Sequence, residues 1–201
     1  MHLKTLLAIP LLVLGMMTPG QGERSDASSI FSFTFDGETE NASGPSQFSF
    51  YGEMLRDFGI TRMNRLSKPH AAFVVADFSE DSWGVIMLSH PGHWDLSEAH
   101  ISVAIRTPDS FHGVQGIVGF KLIDANGKEV RTRDADLHMP GRYWNIFSQR
   151  TSDITLSDSG GADADVDLKN IVQVGVIIFD PPPTDSQAIS KFFIDDLRAA
   201  N

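Results

Sequence analysis

Three carboxylates stand out by where they fall in the chain. Asp36 and Glu38 close the stretch Phe33-Thr34-Phe35-Asp36-Gly37-Glu38 near the start, and Asp195 lies in Phe192-Phe193-Ile194-Asp195-Asp196-Leu197 near the end. Carboxylates set among large apolar residues are costly unless something neutralises them, and hard oxygen donors suit calcium. If the first and last strands pair, Asp36, Glu38 and Asp195 can converge on one structural calcium ion. The plainer alternative is a set of solvated turn and edge carboxylates. A second group is aromatic: Trp83, Trp94, Tyr143, Trp144, Phe50 and Tyr51. Flat rings suit the C–H face of a pyranose, flanked by amides and charges that bond its hydroxyls. Trp94 follows His90-Pro91-Gly92-His93, a loop on which an indole can stand exposed, and Trp83 opens an apolar run that can line a groove. Arg106, Gln115, Lys121 and Gln173 can supply the polar floor of such a groove, unless they belong to an ordinary solvated sheet face. Trp83, Trp94, Arg106 and Gln115 are therefore the candidate ligand contacts.

Other chemistries find less support. His90 and His93 have zinc-like spacing, but a zinc site needs three or four ligands in fixed geometry, and no HExxH motif is present. Asp163, Asp165 and Asp167 imitate the start of a calcium-binding loop, yet Leu168 stands where an EF-hand requires glycine and no glutamate closes it. A glycoside hydrolase needs two carboxylates across a cleft. On a strand that means alternating acids, and Asp134 with Asp136 at a strand end is the nearest approach. A polysaccharide lyase would want a cluster of Tyr, His, Arg and Gln, and the chain has only Tyr51 and Tyr143. No Gly-x-Ser-x-Gly, P-loop or dinucleotide fingerprint occurs. No residue is nominated as catalytic.

The elements that must position these residues read as strands. Ile30-Phe31-Ser32-Phe33-Thr34-Phe35-Asp36 alternates large apolar with small polar residues at period two. Similar signals predict strands at 71–78, 83–89, 100–106, 114–123, 129–136, 143–148, 171–179 and 191–198. Ser79-Glu80-Asp81-Ser82, Pro91-Gly92, Pro108-Asp109, Pro140-Gly141 and Pro181-Pro182-Pro183 mark turns between them. Asp124-Ala125-Asn126-Gly127-Lys128 is the clearest hairpin. Residues 37–47 read as a polar loop. Residues 52–65 stay ambiguous, with Met54, Leu55 and Phe58 suiting a helical turn that Gly59 would stop. About nine short strands and no long amphipathic helix predict an all-β chain folded as one β-sandwich or jelly roll.

The first 22 residues read as an export signal. Met1-His2-Leu3-Lys4 is a short basic start, and Leu6 to Met17 is an apolar run interrupted by Pro10 and too short to span a bilayer. Gly20-Gln21-Gly22 supplies small residues for cleavage before Glu23, which leaves 23–201 as the β-sandwich domain. No cysteine occurs anywhere, which argues against a disulfide-stapled scaffold and a lipid anchor and suits a periplasmic or secreted bacterial protein. No second long apolar run follows, so no membrane span is expected. The net charge of −10 makes nucleic acid an unlikely partner, because phosphate binding needs clustered Lys and Arg.

The chain resembles the galactose-binding-like jelly-roll modules, which include several families of bacterial carbohydrate-binding modules. Phe33-Thr34-Phe35-Asp36-Gly37, Trp94-Asp95-Leu96-Ser97, Gly141-Arg142-Tyr143-Trp144-Asn145-Ile146 and Phe192-Phe193-Ile194-Asp195-Asp196-Leu197 carry the likeness. Trp94-Asp95-Leu96-Ser97 is also similar, more loosely, to the domains related to complex I intermediate-associated protein 30. The resemblance implies a jelly roll, a calcium ion between the first-strand acid and the Asp of the final strand (here Asp36 and Asp195), and packing roles for Trp94 and Trp144. It implies a polysaccharide or glycan as partner. Together these readings favour an exported, non-catalytic carbohydrate-binding β-sandwich. An envelope protein-interaction domain without a sugar site is the alternative, and a lyase or hydrolase of the same fold is a more distant one.

Overall fold

The computed structural model describes residues 28–33, 35, 39–40, 47–52, 55–62, 65–66, 70–77, 83–107, 116–157, 165–179 and 189–201. The proposed signal peptide, Asp36, Glu38 and Gln115 lie outside them, as does most of the acidic stretch before Asp165. The strands are β1 (Ser29–Phe33), β2 (Thr39–Glu40), β3 (Gln47–Tyr51), β4 (Leu55–Thr61), β5 (Ala71–Asp77), β6 (Trp83–Trp94), β7 (His100–Arg106), β8 (Ile117–Asp124), β9 (Glu129–Arg131), β10 (Asn145–Arg150), β11 (Leu156–Ser157), β12 (Ile171–Phe179) and β13 (Ile189–Ala200). All nine predicted strands are present, and β2, β3, β4 and β11 are additions. β2 and the start of β3 fall in what reads as a polar loop, and β4 replaces the helical turn considered for 52–65. β4 takes its place by pairing with β5, which outweighs its Gly59 and weak local preference.

These strands form two antiparallel sheets. The seven-stranded sheet runs β10-β7-β13-β1-β2, with β5 pairing the first half of β13 and β4 outside β5; the six-stranded sheet runs β11-β9-β8-β12-β6-β3. The fold is a jelly-roll β-sandwich. The first and last strands pair antiparallel, as the sequence suggests, from Ser29↔Ala200 to Phe33↔Leu197. Period-two alternation sends Ile101, Val103, Ile105, Phe192, Ile194, Ala72 and Val74 of one sheet inward against Ile86, Leu88, Val118, Phe120, Leu122, Val174 and Val176 of the other. The opposite phase of each strand faces outward.

Two local features depart from or sharpen the sequence reading. Pro91-Gly92 does not end a strand. β6 continues to Trp94, and its register against β12 jumps from Ser89↔Gln173 to Trp94↔Ile171, so residues 90–93 bulge out of the ladder. Pro91 lacks the N–H that a ladder needs, and the Gly92 amide is satisfied instead by His90 Nδ1 at 2.8 Å. The Asp124–Lys128 hairpin forms as predicted, with Gly127 at φ +78°, a left-handed geometry that favours glycine.

Candidate functional site

The predicted ligand contacts do not gather in one place. Trp94 is only 2% exposed and lies in the core, its ring centroid 4.7 Å from Phe31 and 4.8 Å from His90. The bulge returns the strand to register so that the indole points inward, which rules out a loop-borne Trp94 stacking on a ligand and agrees with the packing role implied by the resemblance. Trp83 is half-buried on the outer face of the six-stranded sheet, edge-to-face with Tyr51 at 5.9 Å and packed against buried Val85, Met87 and Ile177. Arg106 ends β7 in the other sheet. Lys121 and Gln173 share the six-stranded sheet, so the single polar floor of Arg106, Lys121 and Gln173 is not formed. Lys121 is instead buried and ion-paired with Glu129 at 2.7 Å. His90 is buried while His93 is exposed, so the pair does not converge on a metal. Asp134 and Asp136 sit in a short 3-10 turn, with Asp134 held by Arg131 at 2.6 Å.

The outer face of the seven-stranded sheet brings together a different set. Phe193 stands opposite Arg106 on one side and Phe73 on the other, and Phe73 stands opposite Gly59. Trp144 immediately precedes β10, whose Asn145 pairs with Ile105, so Trp144 extends the same row beyond Arg106. The row therefore reads Trp144, Arg106, Phe193, Phe73, Gly59, across four strands and the residue before β10. The Phe73 ring lies over Gly59, where an added Cβ would come within 2.6 Å of it. The Arg106 guanidinium sits 6.0 Å from the Trp144 ring centroid and 5.9 Å from that of Phe193. Lys191, two residues before Phe193 on the same face, places its ammonium 4.1 Å from the Phe73 centroid and 5.6 Å from that of Phe193. These are cation–π distances.

Backbone bonds fix the end of the row. Thr107 N–H donates to Gly141 O at 2.9 Å, tying the end of β7 to the loop that carries Trp144. Asn145 Nδ2 donates to Tyr143 O at 2.7 Å. Tyr143 beside them is 69% exposed, with the Arg142 guanidinium 4.8 Å from its ring. Arg106 Nε is buried and has no hydrogen-bond partner among the described residues. A guanidinium N–H kept from water and left unbonded is costly in the free protein. Sequence reasoning found Arg106 but assigned Trp144 to packing and nominated neither Phe193 nor Phe73. The period-two pattern of Phe73 and Phe193 was legible, but which face each phase takes depends on the sheet partner.

Asp195 is one row further along the outer face of β13 and has no solvent exposure. Its Oδ2 accepts from Leu66 N–H at 3.0 Å and its Oδ1 from Asp196 N–H at 2.8 Å, where the strand bulges and Asp196 takes φ +52°. The β1–β13 ladder runs to Phe33↔Leu197, two residues from Asp195 and three from Asp36. A buried carboxylate within β13 has the hard-oxygen chemistry of one calcium ligand. Among the described residues no three His, Asp or Glu side chains gather as a metal site.

No protein-family model matches the chain, and no curated protein sequence matches it. Solved structures do share its shape. The family 11 carbohydrate-binding module from Clostridium thermocellum, in complex with a β-1,3-1,4-mixed-linked tetrasaccharide, is 17% identical, with 87% of this chain covering 98% of that one at a TM-score of 0.55. The CBM22-1 xylan-binding domain from Paenibacillus barcinonensis Xyn10C is 11% identical, with coverage of 87% and 94% and a TM-score of 0.53. An exo-β-agarase matches 78% of this chain with 24% of its own length, at 12% identity and a TM-score of 0.50. The likeness establishes the sandwich fold.

Proposed function

We propose that this chain is an exported, non-catalytic β-sandwich that binds glycans on the outer face of its seven-stranded sheet. The observation that carries this reading is the row Trp144–Arg106–Phe193–Phe73, aligned by strand register, with exposed Tyr143 at its end and an unbonded Arg106 Nε within it. Convergent aromatic surface with a few oriented polar donors is the usual chemistry of a small-molecule or sugar site. That structural neighbours are described as glycan-binding modules supports the same direction. Tyr143 offers a ring to a pyranose at the rim, and the Arg106 N–H groups donate to its oxygens. Residues 1–22 would deliver the domain to the periplasm or the medium, where polysaccharides and calcium are both available. Calcium held by Asp36, Glu38 and Asp195 would pin the paired chain ends and stiffen the sheet that carries the row.

Affinity electrophoresis of the mature chain through gels containing neutral and acidic polysaccharides tests the reading. Retardation on at least one of them is expected. Free migration in every gel, with recovery of one stoichiometric protein partner from an envelope extract, would overturn it in favour of a protein-interaction domain. Exposed Met139, Tyr143 and Ile146 would then be the apolar surface to examine.

A further inference from the structure

Resting on that glycan reading, we propose that the face carrying Arg106 and Lys191 selects anionic glycans, whose carboxylate or sulfate groups bridge the two cations. A ligand arriving at the middle of the row does not meet bare rings. Phe193 is only 4% exposed, and the guanidinium and ammonium lie above it. What the surface presents there is two positive charges backed by aromatic faces. They stand 5.9 Å and 5.6 Å from the same ring centroid, the sum of which, 11.5 Å, is the most that can separate them. Two anionic substituents on neighbouring sugar units can reach both.

The charges are also unspent. Elsewhere on this sheet Arg56 pairs with Asp77 at 3.3 Å and Arg198 with Asp196 at 3.3 Å. Among the described residues Arg106 and Lys191 make no ion pair, and Arg106 Nε has no hydrogen-bond partner. Leaving two half-buried cations unpaired is unexpected in a chain of net charge −10, where carboxylates are abundant. Of the described acids of this face, Asp77 is engaged by Arg56 and Asp195 by the Leu66 and Asp196 amides, while exposed Asp57 lies two strands from Lys191 in the row Asp57–Val75–Lys191. A guanidinium pressed on rings is poorly hydrated, so it loses little water when it takes a carboxylate or sulfate, and its planar fork can hold two oxygens at once. A neutral pyranose gains less here, since the faces it would stack on are already covered. The overall negative charge opposes long-range attraction of a polyanion, so recognition is local and involves about two charge contacts.

Isothermal titration with polygalacturonate, its fully methyl-esterified form, κ-carrageenan, agarose, mixed-linkage β-glucan and single-stranded DNA tests this. The expected result is binding to polygalacturonate, κ-carrageenan or both, at least tenfold weaker binding to the matching uncharged polymer (methyl ester or agarose), and a further tenfold loss in Arg106→Gln and in Lys191→Gln. Which acidic polymer binds distinguishes carboxylate from sulfate recognition. Circular dichroism melting of both variants shows that the sheet is intact, and Arg106→Lys should recover part of the loss. Binding to β-glucan or the methyl ester as tight as to the acids would overturn the anionic selectivity while leaving the glycan reading in place. No binding to any glycan would remove both. Equal binding to DNA would show simple cation exchange and overturn the inference.

Discussion

Replacing Asp124 tests whether the account of the hairpin end of the sandwich is right. Asp124 closes β8 and is 1% exposed. Its Oδ1 accepts from Asn126 N–H at 2.8 Å and Lys128 N–H at 2.9 Å, and its Oδ2 accepts from Asp167 N–H at 3.0 Å, which ties the segment before β12 to the hairpin. Burial pushes its pKa up, but the three amides and the Lys128 charge outweigh that and hold the carboxyl below the usual range. A hydrogen bond to a charged group contributes about 1.5–3 kcal/mol. The two local amides belong to exposed turn residues that can rehydrate, so each should be worth less than the long-range bond to Asp167. Asp124→Ala is therefore expected to cost about 3 kcal/mol. At roughly 2–4 °C per kcal/mol for a chain of this size, its melting temperature should fall by about 6–12 °C. Asp124→Asn keeps an oxygen for the turn amides but turns an NH2 group on the Asp167 amide, so it should cost about half as much. Because the folded pKa is depressed, the carboxylate's contribution is fully present above the ordinary pKa near 4 and is lost as pH falls through the lower folded value. The gap between parent and alanine variant should therefore survive to about pH 4 and close below it. The assay is thermal melting by circular dichroism from pH 7 to pH 2. A variant within about 1 °C of the parent at pH 7, or a gap that does not change down to pH 2, would refute the reasoning.

Thr151 donates its hydroxyl to the carbonyls of Leu96 and Ala99 in a buried site, so Thr151→Val should cost about 1–2 kcal/mol in urea unfolding while Thr151→Ser stays near the parent; equal stability of Val and Thr would contradict this. His138 stacks on Phe147 at 5.3 Å and burial lowers its pKa, so its stabilising share is complete above the unfolded value near 6.5 and declines as pH falls below it. Melting temperatures between pH 7.5 and 5 should drop more steeply in the parent than in His138→Phe, and parallel slopes would count against the assignment. Removing calcium with EDTA should lower the melting temperature by several degrees, with recovery on adding calcium back and a weaker response in Asp195→Asn. No shift, with no calcium found by elemental analysis, would contradict the metal proposal.

The strands legible in the sequence are those whose alternation sets one face against a core: 100–106 is read residue for residue, and the first and last strands pair as the chain ends of a sandwich often do. β4 escaped because Gly59 and the polar Arg56-Asp57 break its pattern, and only pairing with β5 holds it extended. Pro91-Gly92 read as a turn because its local chemistry is that of a turn. Whether such a pair ends a strand or bulges within it depends on whether β12 continues alongside, a non-local fact. The same limit applies to the site. Arg106 was nominated from its type, but its companions Phe193, Phe73 and Lys191 lie 33 to 87 residues away in the chain and meet it only because β13 inserts between β7 and β5. Trp94 was nominated from its neighbours in sequence and proved to face the core, whereas Trp144, read as packing, stands beside Arg106.

The central claim is that the Trp144–Arg106–Phe193 row is a glycan-binding surface. It is tested most directly by titrating the parent and Trp144→Ala with whichever polysaccharide retards the parent most in affinity gels. The account expects at least a tenfold weaker association for Trp144→Ala, with a melting temperature close to that of the parent. Unchanged affinity in a folded Trp144→Ala would contradict it.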